Sequence, residues 1–240
     1  MGYFKYAIKV RFSEVGTDNH LTSKGFMRYM QEAASMHSES LGYGLTNNEK
    51  NHLTWVIANW KLQIFDNPPC GTDIIIKTWA RSLVKFYSYR DFEVYDNSGK
   101  LLAIATSKWI LLNSQTKSII RIPENMLNDY DPIDKCVFKE KMDEKNKGEI
   151  SNCVYEYNIQ RRDLDTNHHV NNLVFLDYAM ETLPEDVFMS CDFKNIEIIY
   201  KKEILYKSTI KCFYCFKNNK HIITIKNDSL DVTHAIITLY

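Results

Sequence analysis

Sliding the 240-residue chain along itself by 149 positions places Tyr6 on Tyr155, Val10 on Ile159, His20 on His169, Phe26 on Phe175, Tyr29 on Tyr178 and Glu32 on Glu181. The identities are few, but they fall at matching points of one repeated order of elements, which is the mark of an internal duplication. A chain of this kind has to build the same unit twice.

In the first copy a strand with alternating apolar residues is expected over 5–12, followed by a polar turn over 13–20. Thr22-Ser23-Lys24-Gly25 then opens a helix to about Leu41, with Phe26, Met30, Ala33, Ala34 and Met36 or His37 inward; Gly42 and Gly44 stop it. Four strand-like runs follow at 53–65, 73–81, 86–95 and 101–112, broken by Asn67-Pro68-Pro69-Cys70-Gly71 and by the turn Asp96-Asn97-Ser98-Gly99. The second copy repeats the order: a strand over 153–159, a polar stretch, a helix over 171–183 ended by Pro184, and strands near 193–202, 205–216, 219–227 and 230–239. Fifteen Tyr, 12 Phe and 4 Trp against 8 Gly and 5 Pro suit so many strands. The stretch 131–150, with eleven charged side chains, reads as a linker between an N-terminal unit (1–130) and a C-terminal unit (151–240). The expected class is therefore α+β, each unit an antiparallel sheet wrapped round a long helix. One such unit leaves a sheet edge uncovered, so the two are expected to pair as an intrachain pseudo-dimer.

Charge removes other classes. The formal net charge is zero. It is also unsegregated, with 15 basic and 12 acidic side chains in 1–130 against 10 and 12 in 151–240, which does not suit a nucleic-acid partner. No apolar run approaches the roughly 20 residues of a membrane helix, and the first residues lack a signal-peptide core; a cytoplasmic protein is expected. Cys70, Cys136, Cys153, Cys191, Cys212 and Cys215 have no framework spacing and read as free thiols. Cys212-Phe-Tyr-Cys215 lacks a second pair and sits in a strand-like run, so neither a metal nor a cofactor is expected.

The polar stretch of the second copy, from Arg161 to Asn172, is dense in groups that donate, accept or carry a proton. Asp165, Asn167 and His169 are two apart, and an extended backbone would turn all three to one side. Val170, Val174, Phe175, Tyr178, Ala179 and Thr182 follow near a period of 3.6. Asn171 and Asn172 suit the cap of that helix, whose N–H groups and partial positive charge favour a carbonyl oxygen gaining charge during attack. A carboxylate, an amide and an imidazole beside such an end suit acyl-group chemistry. Each has a plainer reading, Asp165 as a turn residue, His169 as a core histidine, the asparagines as caps. Three of them on one run are hard to explain as packing. The first copy has Gly16 and Asp18 in place of Asp165 and Asn167, so one site per chain is expected, with the first unit free to hold the rest of a ligand.

The run Asp-Leu-Asp-x-Asn-x-His-Val-Asn-Asn, from Asp163 to Asn172, resembles the signature of the acyl-ACP thioesterases, double hot-dog enzymes that end fatty-acid synthesis. The resemblance extends to Leu53-Thr54-Trp55-Val56-Ile57, to Ala105-Thr106-Ser107-Lys108-Trp109, and to Tyr200-Lys201-Lys202-Glu203 against the family's Tyr-Arg-Arg-Glu. It implies that Asp165, Asn167 and His169, rather than the adjacent His168, work with Glu203. The family's next residue is often Cys; here it is Ile204, which carries no nucleophile. What remains is general-base hydrolysis of a thioester, with Glu203 and His169 activating water, Asn167 and the helix N-terminus holding the oxyanion, and Asp165 supporting the imidazole. A covalent route through Asp165 is the alternative. The resemblance also implies an acyl tunnel in the first unit at Met30, Ala33, Ala34, Trp55 and Ile57, and an acidic acyl carrier protein as partner, with Lys201 and Lys202 as docking candidates. An acyl-CoA thioesterase, a non-catalytic acyl-carrier-binding protein and a hot-dog dehydratase stay open, as do chain length and a homodimer.

Overall fold

The computed structural model describes residues 2–47, 52–140, 142, 146–150, 153–190 and 192–240. Part of the expected linker, the first two residues of the expected second unit, and Cys191 lie outside the described residues. The chain divides into two compact units, 1–141 and 142–240.

In the first unit, strand β1 (Phe4–Lys9) leads to helix α1 (Ser23–Ser40), and β2 (Leu53–Ile64), β3 (Asp73–Val84), β4 (Tyr87–Asp96), β5 (Leu101–Asn113) and a short helix α2 (Glu124–Tyr130) follow. The strands form an antiparallel sheet in the order β1-β3-β4-β5-β2. In the second unit, β6 (Cys153–Asn158) leads to α3 (Val174–Glu181), a six-residue helix α4 (Glu185–Ser190), β7 (Asn195–Tyr200), β8 (Thr209–Lys217), β9 (Lys220–Asn227) and β10 (Thr233–Leu239). Its sheet order is β6-β8-β9-β10-β7, also antiparallel. Position for position this is the topology of the first unit, and both are the sheet-and-helix arrangement of a hot-dog unit.

The apolar spacing of α1 explains its seat on β1 and β3: Phe26, Met27, Tyr29, Met30, Ala33, Ala34 and His37 are buried on one side of the helix. Large sheet side chains, Trp60, Phe92, Ile74 and Ile76, complete a core from which water is excluded; each such side chain contributes about 1.5–3 kcal/mol. Between the two inward candidates at the end of α1, the structure selects His37 and leaves Met36 exposed. The Thr22 hydroxyl caps the helix by accepting from Gly25 N–H at 3.0 Å. Gly25 is required there, because a Cβ would stand 2.6 Å from Leu21 Cδ1 and 2.8 Å from the Glu14 carbonyl oxygen. In the second unit Val174 occupies the matching place and is the first residue of α3, so that helix begins later than the sequence suggests. Val170, Phe175, Tyr178, Ala179 and Thr182 are all buried as their spacing predicts.

The charged stretch 131–140 runs along the first sheet. Ile133 N–H donates to the Ala80 carbonyl (2.9 Å), Trp79 Nε1 to the Lys135 carbonyl (3.0 Å), and Val137 N–H to Asp91 Oδ2 (3.0 Å). No helix of the described residues is long and apolar enough to cross a membrane. Cys212 and Cys215 lie on β8, and among the described residues no group of three His, Cys, Asp or Glu side chains could hold a metal ion.

Candidate active site

The polar stretch of the second unit is a tight hairpin, not the extended run that the two-residue spacing suggests. After a turn of 3-10 helix at Arg161–Asp163, Leu164 pairs antiparallel with Val170, and Asp165 N–H donates to the His169 carbonyl at 2.7 Å. The chain reverses across Thr166, Asn167 and His168, with His168 at φ 61°. Asp165 drives this geometry. Its Oδ1 accepts Asn167 N–H at 2.8 Å and His169 N–H at 3.2 Å, the local bonding by which an aspartate makes a turn of its own backbone. Asp165 therefore serves the backbone, and the role of holding the imidazole, expected from sequence, has no hydrogen bond behind it among the described residues. Asn167 is exposed at the hairpin tip, while His169 and Asp165 are half-buried opposite one another at its base.

One arm of the hairpin is stitched to a distant segment of the same unit. His169 pairs with Leu205, and Val170 N–H donates to the Ile204 carbonyl at 2.9 Å. Val170 and Ile204 are both buried, so apolar burial fixes the pairing, and Glu203 follows as the exposed residue just before it. Ile204 is fully buried, a core side chain with no chemical role. The hairpin and this segment thus bring Asp165, Asn167, His169 and Glu203 into one loop cluster. Among the described residues, the Asn167 amide and the His169 ring have no hydrogen-bond or ion-pair partner, and the Glu203 carboxylate has none beyond its charge interaction with the His234 ring, which leaves them open to a ligand.

Two further groups shape the cluster. Asn171 anchors the start of α3: its N–H donates to the Asp163 carbonyl (2.8 Å), its Oδ1 accepts Leu173 N–H (2.9 Å) and its carbonyl accepts Val174 N–H (2.9 Å). Neither asparagine is the cap of the helix, since Leu173 holds that place without a side-chain cap bond; Asn171 braces the turn just before it, and it occupies two N–H groups that the sequence reading offered to an oxyanion. His234, overlooked in the sequence, is buried at the start of β10. Its carbonyl accepts from Lys201 N–H (2.8 Å) and Lys202 N–H (3.2 Å), and its Nδ1 lies 3.2 Å from the Lys202 carbonyl. Burial holds its pKa below the usual histidine value, and a neutral ring protonated on Nδ1 donates to that carbonyl. The first unit has apolar Leu102 in this role, accepting from Phe65 and Asp66 N–H. A histidine at that apolar position was the available signal.

The first unit holds a cavity of about 360 Å³, within the roughly 300–1,000 Å³ usual for small-molecule sites. Of the five residues expected along an acyl tunnel, Ala34 and Trp55 line it, beside Ser88, Arg90, Trp109 and Tyr130. Met30, Ala33 and Ile57 do not; they are buried core, the ordinary fate of an inward helix face. Arg90 is buried, which lowers its pKa, and its Nη1 donates to His37 Nδ1 (3.0 Å) and to the Thr78 hydroxyl (3.2 Å). Burial, and then the Arg90 charge, pushes the His37 pKa down to about 3, so the ring is neutral and its Nδ1 accepts.

A family model described as the acyl-ACP thioesterase N-terminal domain matches residues 2–130, and one described as the acyl-ACP thioesterase C-terminal domain matches residues 146–239. The chain is similar to the chloroplastic oleoyl-acyl carrier protein thioesterase 1 of Arabidopsis thaliana, with 26% identity over 219 residues that span 83% of this chain and 60% of the relative. It is also similar to the chloroplastic dodecanoyl-[acyl-carrier-protein] hydrolase of Cinnamomum camphora, with 28% identity over 223 residues, 87% of this chain and 58% of that protein. The chain thus spans about 60% of the length of the curated relatives it matches. Among solved structures, an acyl-ACP thioesterase from Bacteroides thetaiotaomicron superposes with a TM-score of 0.87 at 18% identity, covering 99% of this chain and 96% of that one. That likeness is one of fold.

Proposed function

We propose that this chain, which belongs to the acyl-ACP thioesterase family, hydrolyses the thioester joining a fatty acyl group to acyl carrier protein, releasing free fatty acid and the phosphopantetheine thiol. The observation that carries the reading is the pairing of Val170 with Ile204 and of His169 with Leu205, which gathers an amide, an imidazole and a carboxylate whose side chains make no hydrogen bond among the described residues.

In this reading Glu203 and His169 orient a water molecule and take its proton as its oxygen bonds to the thioester carbonyl carbon; such assistance is worth about 10²–10⁴-fold in rate. The Asn167 amide donates to the oxyanion, and one such donor contributes about 10²–10³-fold. Because Asn171 already occupies two N–H groups at the start of α3, the helix acts through its partial positive charge. Collapse of the intermediate breaks the C–S bond, and His169 returns the proton to the leaving sulfur. Asp165 positions the hairpin. A covalent attack by Asp165 would run through Oδ2, because its Oδ1 already accepts two backbone N–H bonds. Exposed Lys201 and Lys202 face an acidic carrier protein by charge complementarity.

The test is single turnover of acyl-ACP in ¹⁸O-labelled water. The account expects label in the released fatty acid and none in the protein; label in the Asp165 carboxylate would establish the covalent route. Failure to release acid from any acyl-ACP, or release from acyl-CoA only, would overturn the assignment.

A further inference from the structure

The cavity of the first unit has a polar wall that a plain hydrocarbon chain does not use. Ser88 and Arg90 are two apart on β4, so they face the same side of the sheet; both are buried and both line the cavity. Arg90 is only 4% exposed, and its protein hydrogen bonds, to the neutral His37 ring and the Thr78 hydroxyl, all run through Nη1. Among the described residues no carboxylate forms an ion pair with it. The neighbouring Asp91 is on the opposite face of β4, where the Thr106 hydroxyl (2.7 Å), Val137 N–H (3.0 Å) and Arg81 Nη1 (3.6 Å) surround it. Glu39, also on the cavity wall, is held by the Thr46 hydroxyl. The indole N–H of Trp55, on the same wall, is buried without an acceptor among the described residues.

A guanidinium has five N–H donors in a planar fork that matches a carboxylate, and burying its charge without an anion is costly. The Tyr130 ring, 5.7 Å from the guanidinium, eases its burial but supplies no anion, so a methyl-ended chain would leave the free donors idle.

We propose that the cavity selects an acyl chain whose far end carries a carboxylate, gripped by the Arg90 N–H groups that His37 and Thr78 do not use, with the Ser88 hydroxyl as a further donor. The ligand class is an ω-carboxyacyl thioester, and the inference rests on the reading of the chain as an acyl-thioester hydrolase. The carboxylate compensates a cation that the fold has already buried and oriented, so little is lost in organising the site.

The experiment separates binding from chemistry. Acyl-ACP analogues with an amide in place of the thioester, matched in chain length and ending in methyl, hydroxyl or carboxylate, are titrated against the full-length protein by calorimetry. The carboxylate-ended analogue should bind at least about tenfold tighter than the methyl-ended one, as expected of a charge-assisted hydrogen bond, with the hydroxyl-ended analogue between them. Arg90→Gln should abolish the preference, Arg90→Lys should keep part of it, and Ser88→Ala should narrow it with the fold intact. Equal or tighter binding of the methyl-ended analogue by the parent protein overturns the inference without any variant, as does a preference that survives in folded Arg90→Gln. Because the amides are not hydrolysed, the preference can appear in a protein that turns over no thioester, which would sink the hydrolase reading and leave the carboxylate subsite standing.

Discussion

In the first unit, Gly16 N–H bonds to the His20 carbonyl at 2.9 Å and Asn19 N–H to that of Gly16 at 3.0 Å; in the second, the same bonds run from Asp165 to His169 at 2.7 Å and from His168 to Asp165 at 3.1 Å. The left-handed residue of each turn matches as well, Asn19 at φ 64° and His168 at φ 61°. Leu21 N–H donates to the Pro68 carbonyl as Val170 N–H does to that of Ile204, both at 2.9 Å. The side chains part company. In the first hairpin His20 Nδ1 is 2.8 Å from the Asp18 carbonyl, and Asn67, in the place of Glu203, donates its amide to the Leu21 carbonyl at 2.7 Å. Those polar groups are spent on their own loop, whereas Asn167, His169 and Glu203 are not. The backbone of the hairpin is scaffold common to both units, and chemistry belongs to the copy whose side chains the scaffold does not consume.

The comparison is easiest to break through rates. His169→Ala and Glu203→Ala should each lower kcat for acyl-ACP by about 10²–10⁴-fold with little change in melting temperature, measured by thiol release. The next effect concerns how the helices begin. Gly25→Ala forces a Cβ against Leu21 and the Glu14 carbonyl and should cost about 1–3 kcal/mol in denaturant titration. Val174→Ala, 149 positions on and half-buried, should cost roughly under 1 kcal/mol; an equal loss at both sites would mean that the helix starts are not built differently.

Acid should also act unevenly. The folded His37 pKa, near 3, lies below the unfolded value of 6.5, so the unfolded chain binds more protons between those values. Stability from this group is complete above pH 6.5 and is lost as pH falls toward 3, at up to about 1.4 kcal/mol per pH unit. His37→Leu should flatten that part of the pH–stability curve, and an unchanged slope would show that His37 is not held neutral. Smaller still are the cap of α1 and the Asn171 turn before α3. Thr22→Ala and Asn171→Ala should each cost about 1 kcal/mol, yet only Asn171→Ala should slow turnover. His20→Ala should leave kcat within about twofold, the ordinary result for a side chain outside the reacting groups.

The repeated element order and the inward faces of both helices were legible in the sequence, because buried apolar spacing is set by the periods of helix and strand. The hairpin was not. A spacing of two reads as extended backbone, but Asp165 bonds to N–H groups two and four residues on, and His168 takes the left-handed conformation that asparagine takes in the other copy. Glu203 was legible only through resemblance, since its approach to His169 depends on pairing between segments more than thirty residues apart. His37 takes the interior place rather than Met36 because it continues the face of Met30, Ala33 and Ala34 and accepts from Arg90, distant in sequence. That Met30, Ala33 and Ile57 do not border this cavity was not legible for a related reason: inwardness along α1 or β2 does not reveal which side chains fill the core and which line a cavity.

Thiol release from acyl-ACP by the parent protein, by His20→Ala and by His169→Ala, measured together, tests the division of labour most directly. The account predicts parent-like turnover in His20→Ala and a loss of at least about 10²-fold in His169→Ala. Equal losses at the two histidines, or turnover that survives in His169→Ala, would contradict it.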